Sequence, residues 1–409
     1  MNRALRALRN TGIGKRSASG HNSEPPASAM SFFIISFLTS LLVTLVVVRS
    51  ASLHAWSADH DFSGPQKFHT RAVPRIGGLG VLVAMVVAGV FANFTKSDAA
   101  PKFWLLVGCG MPAFVFGIAE DLTKAVAARW RLLATCVSAA LAVWFLDGVI
   151  HRTDIPGIDQ AIVWLPAAIA LTLLSVTGVA NAVNIIDGFN GLASMCVMMM
   201  MLGVAYVAFQ TNDVFVAGTA LIAAGAVFGF FVWNFPAGLI FLGDGGAYFL
   251  GFVLAELSVL LLARNPAVSP IFPLLLCAYP IFETVFTMYR RRVLRGVATA
   301  QPDGIHLHTL IHRRLIRLNF GAGIGERRRI HRNSMTSPYL WLLCLLSIIP
   351  SVLWWNSTRV LSVFLLLFIL FYVFLYWRIV RFRTPRWLGG RREPRPAGQR
   401  FTDVHEHDS

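Results

Sequence analysis

Eleven apolar runs, each long enough to cross a bilayer, leave this chain little choice but a helical membrane fold. They fall at roughly 31–48, 76–94, 103–119, 132–148, 161–180, 192–209, 214–233, 246–263, 267–288, 338–354 and 359–377. A hydrocarbon core takes about 20 helical residues per crossing. Every backbone polar group inside it must find a partner, which a helix provides within its own segment. The expectation is an all-α polytopic membrane protein with about eleven transmembrane helices. Composition agrees: of 409 residues 56% are hydrophobic and 14% charged, against about 25% charged in soluble domains.

Charge placement sets the topology. The loops at 49–75, 120–131, 181–191, 234–245 and 289–337, together with the segment from 378 onward, hold 26 Lys and Arg residues, whereas the opposite loops hold five. The positive-inside rule puts the first set in the cytoplasm. The N-terminal tail then lies outside with Arg3, Arg6, Arg9, Lys15 and Arg16, against the rule locally; a start at Met30 would remove the conflict. The expected organisation is a disordered basic tail over 1–30, one transmembrane domain over 31–377 containing the cytoplasmic loop 289–337, and a basic cytoplasmic tail over 378–409. The net charge of +16 is accounted for by topology and by anionic lipid headgroups, so no nucleic-acid partner is expected. Cys109, Cys136, Cys196, Cys277 and Cys344 all lie in apolar runs without metal-site spacing, and read as small core hydrophobes.

Polar residues are expensive in such a chain, so their clustering carries information. Five clusters fall at helix ends on the cytoplasmic side. The central one is Asn181-Ala-Val-Asn184-Ile-Ile-Asp187-Gly188-Phe-Asn190-Gly191. It reads either as an Asn/Gly turn between helices or as a set of hard oxygen ligands for Mg²⁺, which takes one or two protein ligands beside substrate phosphates. Lys67, His69, Arg71 and Arg75 precede Gly77-Gly78, as a basic helix flank or a phosphate contact. Glu120-Asp121 with Lys124 is a solvated helix end or a seat for a cation and a phosphate. Asp244, between Gly243 and Gly245-Gly246, sits where backbone N–H groups at a helix start approach an anion, or caps the helix. The last cluster joins Asp303, His306, His308, His312, Arg313 and Arg314. Imidazoles and guanidiniums suit a diphosphate better than a transition metal here, because hard oxygen ligands dominate elsewhere. Together the clusters supply the ingredients for Mg²⁺-assisted transfer of a phosphoryl-linked group from the cytoplasmic side.

Arg75-Ile-Gly-Gly, Glu120-Asp-Leu-Thr-Lys124, Asn181 to Gly191, Gly243-Asp244 and His306-Leu-His308, in this order and spacing, resemble the MraY/WecA-like polyprenyl-phosphate N-acetylhexosamine-1-phosphate transferases. The likeness covers about residues 31–340. It implies transfer of a sugar 1-phosphate from a UDP-N-acetylhexosamine to undecaprenyl phosphate, with release of UMP, at a cytoplasmic active site of a bacterial inner-membrane enzyme. It also implies roles. Asp244 and Asn184 match the metal and diphosphate positions, for Mg²⁺ or alternatively Mn²⁺, with Asp244 also in the catalytic set. Asp121, with Glu120 beside it, matches the acidic pair that handles the lipid phosphate. Asp187 and Asn190 match positions lining the uridine site, Lys124, His306 and His308 match diphosphate and sugar contacts, Arg75 in the first motif is a further substrate contact, and Arg313 joins them by its proximity alone.

Two departures stand out: Glu120 where most members carry Asp, and Thr309 where a further His is usual. The triple-His signature of the peptidoglycan branch is absent, which favours initiation of a surface polysaccharide such as O-antigen. A peptidoglycan-precursor transferase, a transporter and a non-catalytic scaffold are the competing readings. The transporter reading calls for polar groups near mid-helix and an internal repeat; the clusters lie at helix ends and no repeat is evident. A homodimer is a further expected assembly.

Overall fold

A computed structural model describes residues 26–50, 73–294, 306–316 and 326–381. The expected N-terminal tail over 1–25, the cluster members Lys67, His69, Arg71 and Asp303, and the C-terminal tail beyond 381 lie outside these residues. Among the described residues there is no strand segment, and the helices are α1 Pro26–Arg49, α2 Gly77–Phe94, α3 Ala100–Thr123, α4 Ala128–Leu146, the short α5 Ile158–Ile162, α6 Leu165–Ile186, α7 Leu192–Gln210, α8 Val214–Asn234, α9 Gly243–Arg264, α10 Ile271–Leu276, α11 Ala278–Tyr289, the short α12 Leu307–Ile311, α13 Glu326–Leu353 and α14 Thr358–Val380. Ten of them are long and apolar enough to cross a membrane. The chain is an all-α, multi-pass membrane protein.

The eleventh expected span, 267–288, is instead broken into α10 and α11 at Cys277. Pro280 explains the break, since it has no N–H to offer residue 276 and so fits only a helix's first turn. Several helices also run past the end of their apolar stretch. Glu120 and Asp121 belong to the last turn of α3, Asn181 and Asn184 to the end of α6, and Asp244 to the first turn of α9. Hydropathy ended these elements early because their final turns face a polar site inside the protein rather than lipid. The loop expected over 289–337 likewise holds π-helical turns at Arg290–Leu294 and His312–Ile316, the helix α12 and the start of α13.

Helix α9 is the axis of the bundle. In its most apolar stretch 89% of residues are buried, against 22% for α14. Its glycines allow backbones to meet: a Cβ on Gly78 of α2 would lie 2.4 Å from Gly246 Cα, and one on Gly117 of α3 would lie 2.5 Å from Gly245 Cα. Such contacts between small residues drive helix association in lipid, where hydrophobic burial gives no advantage. They draw the ends of α2 and α3 onto the start of α9, and with them Arg75 and Asp121.

The five cysteines form no disulfide, and four of them are buried, as expected of small core residues.

Candidate functional site

Three backbone hydrogen bonds fix the entrance to α2. Phe241 N–H donates to Pro74 O at 2.9 Å, Gly77 N–H to Phe241 O at 2.9 Å, and Gly78 N–H to Leu242 O at 2.8 Å. This clamp carries Arg75 over the start of α9. Its Nε stands 3.7 Å from Asp121 Oδ1 and its Nη2 3.7 Å from Asp244 Oδ1.

Asp121 is buried and both of its oxygens are used. Oδ1 accepts the N–H of Asp244 at 3.0 Å and Oδ2 accepts the N–H of Gly245 at 2.9 Å. The first N–H groups of a helix have no partner within it, and here a carboxylate from α3 supplies one. Gly243 adopts φ +77°, and a Cβ there would strike Arg75 O and Asp121 Oδ2, so only glycine lets the chain turn into α9 this close to the acid. Asp244 is left facing cations and an amide: Asn184 Nδ2 donates to Oδ1 at 3.1 Å, and the Arg131 guanidinium pairs with Oδ2. Arg131 also lies over the Tyr248 ring, 6.0 Å from its centroid, while Tyr248 donates to Asn181 Oδ1 at 3.3 Å.

Lys124 and Asp187 complete the charged group, within electrostatic range of Asp121. Lys124 sits in a left-handed turn, φ 56°, that ends α3. Asp187 follows α6, and burial of its carboxyl end pushes its pKa from 3.8 to about 7 against the pull of Arg75. The next residues meet the histidine cluster. A Cβ on Gly188 would lie 3.4 Å from His308 Nε2, and the Phe189 ring packs on His308 and His312 at 5.5 and 5.2 Å between centroids. His306 stacks on His308 at 5.0 Å.

Below the charged group runs a cavity of about 680 Å³ between α6, α9 and the α10–α11 pair. Its inner end reaches Asn181 and its outer end Arg152, and Leu171, Leu174, Gly178 and Ile281 line the length between. An apolar trough beginning at a charged site suits a substrate with a hydrocarbon tail and an anionic head.

The sequence profile of "Glycosyl transferase family 4" matches residues 103–262, which hold Glu120-Asp121, the Asn181–Gly191 stretch and Asp244. The "Probable undecaprenyl-phosphate N-acetylglucosaminyl 1-phosphate transferase" of Bacillus subtilis (strain 168) is 29% identical over 351 residues, 85% of this chain and 90% of the relative. Over residues 103–262 the chain is similar to glycosyl transferase family 4. The "Undecaprenyl-phosphate alpha-N-acetylglucosaminyl 1-phosphate transferase" of Thermotoga maritima is 26% identical over 69% of this chain and 80% of the relative. The "Phospho-N-acetylmuramoyl-pentapeptide-transferase" of Latilactobacillus sakei is 29% identical over 48% of the chain and 65% of the relative.

Of the sequence-derived candidates, the structure brings Arg75, Asp121, Lys124, Asn184, Asp187 and Asp244 into one group, with His306 and His308 against its edge. Three others face elsewhere. One Glu120 oxygen accepts the Val126 N–H at 2.8 Å and so holds the α3–α4 turn. The Asn190 amide donates to Pro236 O and Ser334 Oγ at 3.2 and 3.3 Å, tying its loop to α13. Arg313 is exposed, one residue past His312.

Two residues in the site's framework escaped the sequence reading. Arg131 entered only as topological charge. Glu283 lay within an apolar run, yet an ionisable residue there is itself a signal of function. Its buried carboxylate accepts the Leu307 N–H at 2.9 Å and the Tyr372 hydroxyl at 2.7 Å, and lies 3.1 Å from His306 Nδ1.

The donor set fits a hard divalent cation. Asp244 offers a carboxylate, Asn184 an amide oxygen, and the Arg131 guanidinium already lies where a positive charge is favoured. Among the described residues no group of three or more His, Cys, Asp and Glu side chains could hold a metal alone. Mg²⁺ takes one or two protein ligands, and substrate phosphates and waters complete its shell.

Proposed function

We propose that this protein transfers an N-acetylhexosamine 1-phosphate from a UDP-sugar to undecaprenyl phosphate, releasing UMP and leaving a lipid-linked diphosphosugar. The observation that carries this reading is the junction of two features: the group formed by Asp121, Asp244, Asn184, Arg75 and Arg131, and the apolar cavity that starts at Asn181. A diphosphate needs the first, and a polyprenyl tail needs the second. The names of the Bacillus and Thermotoga relatives support the same reaction.

Asp244 and Asn184 would hold Mg²⁺, or Mn²⁺ in its place, which supplies charge neutralisation at the diphosphate. Arg75, Arg131 and Lys124 add fixed positive charge where negative charge builds up during phosphoryl transfer. Asp121, committed to the N–H groups of Asp244 and Gly245, acts by holding Asp244 and by its charge. Asp187, its pKa pushed up to about 7 by burial, suits proton exchange with an acceptor phosphate near neutrality. His306 and His308 bind the donor beside Gly188.

The product would initiate a surface polysaccharide of the O-antigen kind, made at the inner membrane of a bacterium. The absence of a triple-His run, His306 and His308 being separated by Leu307, supports that branch, as does the wider coverage of the N-acetylglucosaminyl relatives, 85% and 69% of this chain against 48% for the pentapeptide transferase.

The test is UMP release by detergent-purified protein supplied with undecaprenyl phosphate, Mg²⁺ and a panel of UDP-N-acetylhexosamines. Release with one donor, abolished by EDTA, supports the reading. Folded protein that releases no UMP with any donor overturns it in favour of a scaffold.

A further inference from the structure

We propose that Glu283 is the positioning residue for His306, fixing the protonated Nδ1 of that ring and so keeping the imidazole cationic towards an anionic substrate. This deepens the reading above and rests on it for the identity of that substrate, a nucleoside diphosphate-sugar.

The geometry is unusual for a carboxylate in an apolar run. Glu283 lies in α11, 0% exposed, and its two oxygens serve three groups from two parts of the chain. Oε1 accepts the Leu307 N–H, an orphan donor at the start of α12, whose N-cap residue His306 gives no side-chain cap. The same oxygen lies 3.1 Å from His306 Nδ1, and Oε2 accepts the Tyr372 hydroxyl of α14 at 2.7 Å. Thr287, one turn beyond Glu283, also has its hydroxyl 3.2 Å from Nδ1 and accommodates a proton there by accepting it. With two oxygens converging on Nδ1, that nitrogen is the donor, which leaves Nε2 as the ring's second titrating position. A buried carboxylate needs a positive partner, and protonated His306 provides one.

The charged and titratable groups around this pair do not replace it. His308 stacks on His306 from the first turn of the short helix that His306 precedes. The Tyr279 and Tyr372 hydroxyls lie near Glu283 from α11 and α14. Arg290, one turn past Thr287, lies over the Tyr376 ring of α14, and Arg314, from the π-helical turn after α12, donates to the carbonyl of Ile379. His312 faces Thr336 of α13. Glu283 is therefore the acid bonded to His306 among the described residues.

The experiment compares wild type, Glu283→Gln and Tyr372→Phe by ¹⁵N-histidine spectra and by the pH profile of kcat/KM for UMP release. Gln keeps the size of Glu and an oxygen for Leu307, but loses the charge. The expected result is a fall of about one pH unit or more in the His306 titration and in the matching limb of the profile, with His306→Asn removing both. Tyr372→Phe strips a donor from Glu283, leaves its charge less neutralised, and moves the same titration upward. A purely structural Glu283 would lower melting temperature and rate without moving the titration, and that outcome overturns the proposal. An unchanged His306 spectrum in Glu283→Gln overturns it as well. Should wild type release no UMP, the proposed reaction fails while the spectra still decide the role of Glu283.

Discussion

The carboxylate of Asp121 accepts the backbone N–H of Asp244 at 3.0 Å, so the acid that ends α3 fixes the first turn of the helix carrying the second acid. Two neighbouring carboxylates would ordinarily repel. Here Asp121 spends its charge on helix-start N–H groups, while Asp244 faces Arg131 and Asn184. The two acids are therefore not equivalent, and their amide variants should separate.

Asp121→Asn turns an NH2 group towards either the Asp244 or the Gly245 N–H, and leaves one buried donor without an acceptor. The expected stability loss is about 1–3 kcal/mol, with UMP release down at least about a hundredfold as the start of α9 loses its anchor. Asp244→Asn leaves every backbone bond of that turn in place. It should melt within a few degrees of wild type and lose UMP release to a similar extent. Thermal unfolding in detergent beside an activity assay checks both; near-normal release in either variant would remove that acid from the site.

Metal dependence should sort the same residues. Release of UMP should stop in EDTA and return with Mg²⁺ or Mn²⁺. Asn184→Ala should raise the Mg²⁺ concentration for half-maximal rate by about 10- to 100-fold, the range for losing a group that supports a metal ligand. Titration of activity against Mg²⁺ measures this, and an unchanged midpoint would take Asn184 out of the cation site.

Asp187 predicts a pH dependence of stability with a definite sign. Its folded pKa of about 7 exceeds the ordinary 3.8 because burial disfavours the charged form. The folded state then binds more protons than the unfolded chain between these values, so stability falls as pH rises from about 3.8 to about 7 and levels off above. Asp187→Asn cannot ionise and should flatten that slope, melting higher than wild type at pH 8 but not at pH 5. Melting temperatures of the two proteins across this range decide it.

Much of this arrangement is legible in the order of the amino acids. Apolar runs of the right length set the helices, and the charge imbalance between loops marks one face. What the pattern misses has physical causes. Hydropathy sees α3, α6 and α9 end where polar residues begin, yet Asp121, Asn184 and Asp244 continue as helix because they face protein rather than lipid. Glu120 shares its cluster with Asp121, but the neighbouring helical position points its carboxylate to Val126 instead. Glu256 and Glu283 are both acids in the middle of an apolar run, and both are fully buried. Glu283 reaches the histidines, whereas Glu256 lies against Gly148, and only three-dimensional contact separates them.

Gly178 offers the sharpest test of the apolar cavity as the seat of the acceptor's tail. It lines that cavity on α6, and a Cβ added there meets nothing within 4 Å. The Cβ of Gly178→Leu meets no neighbour, and in a helix interior Leu is favoured over Gly by roughly 0.5–1 kcal/mol, so the variant should fold at least as well as wild type. Its side chain would project into the space claimed for the prenyl chain. The KM for undecaprenyl phosphate should rise roughly tenfold, equivalent to about 1.4 kcal/mol, while the KM for the UDP-sugar stays within about twofold. A short-chain prenyl phosphate that does not reach the depth of Gly178 should lose less. Equal effects on both substrates would mean the substitution acts through the fold, and no effect on either would place the lipid tail outside this cavity.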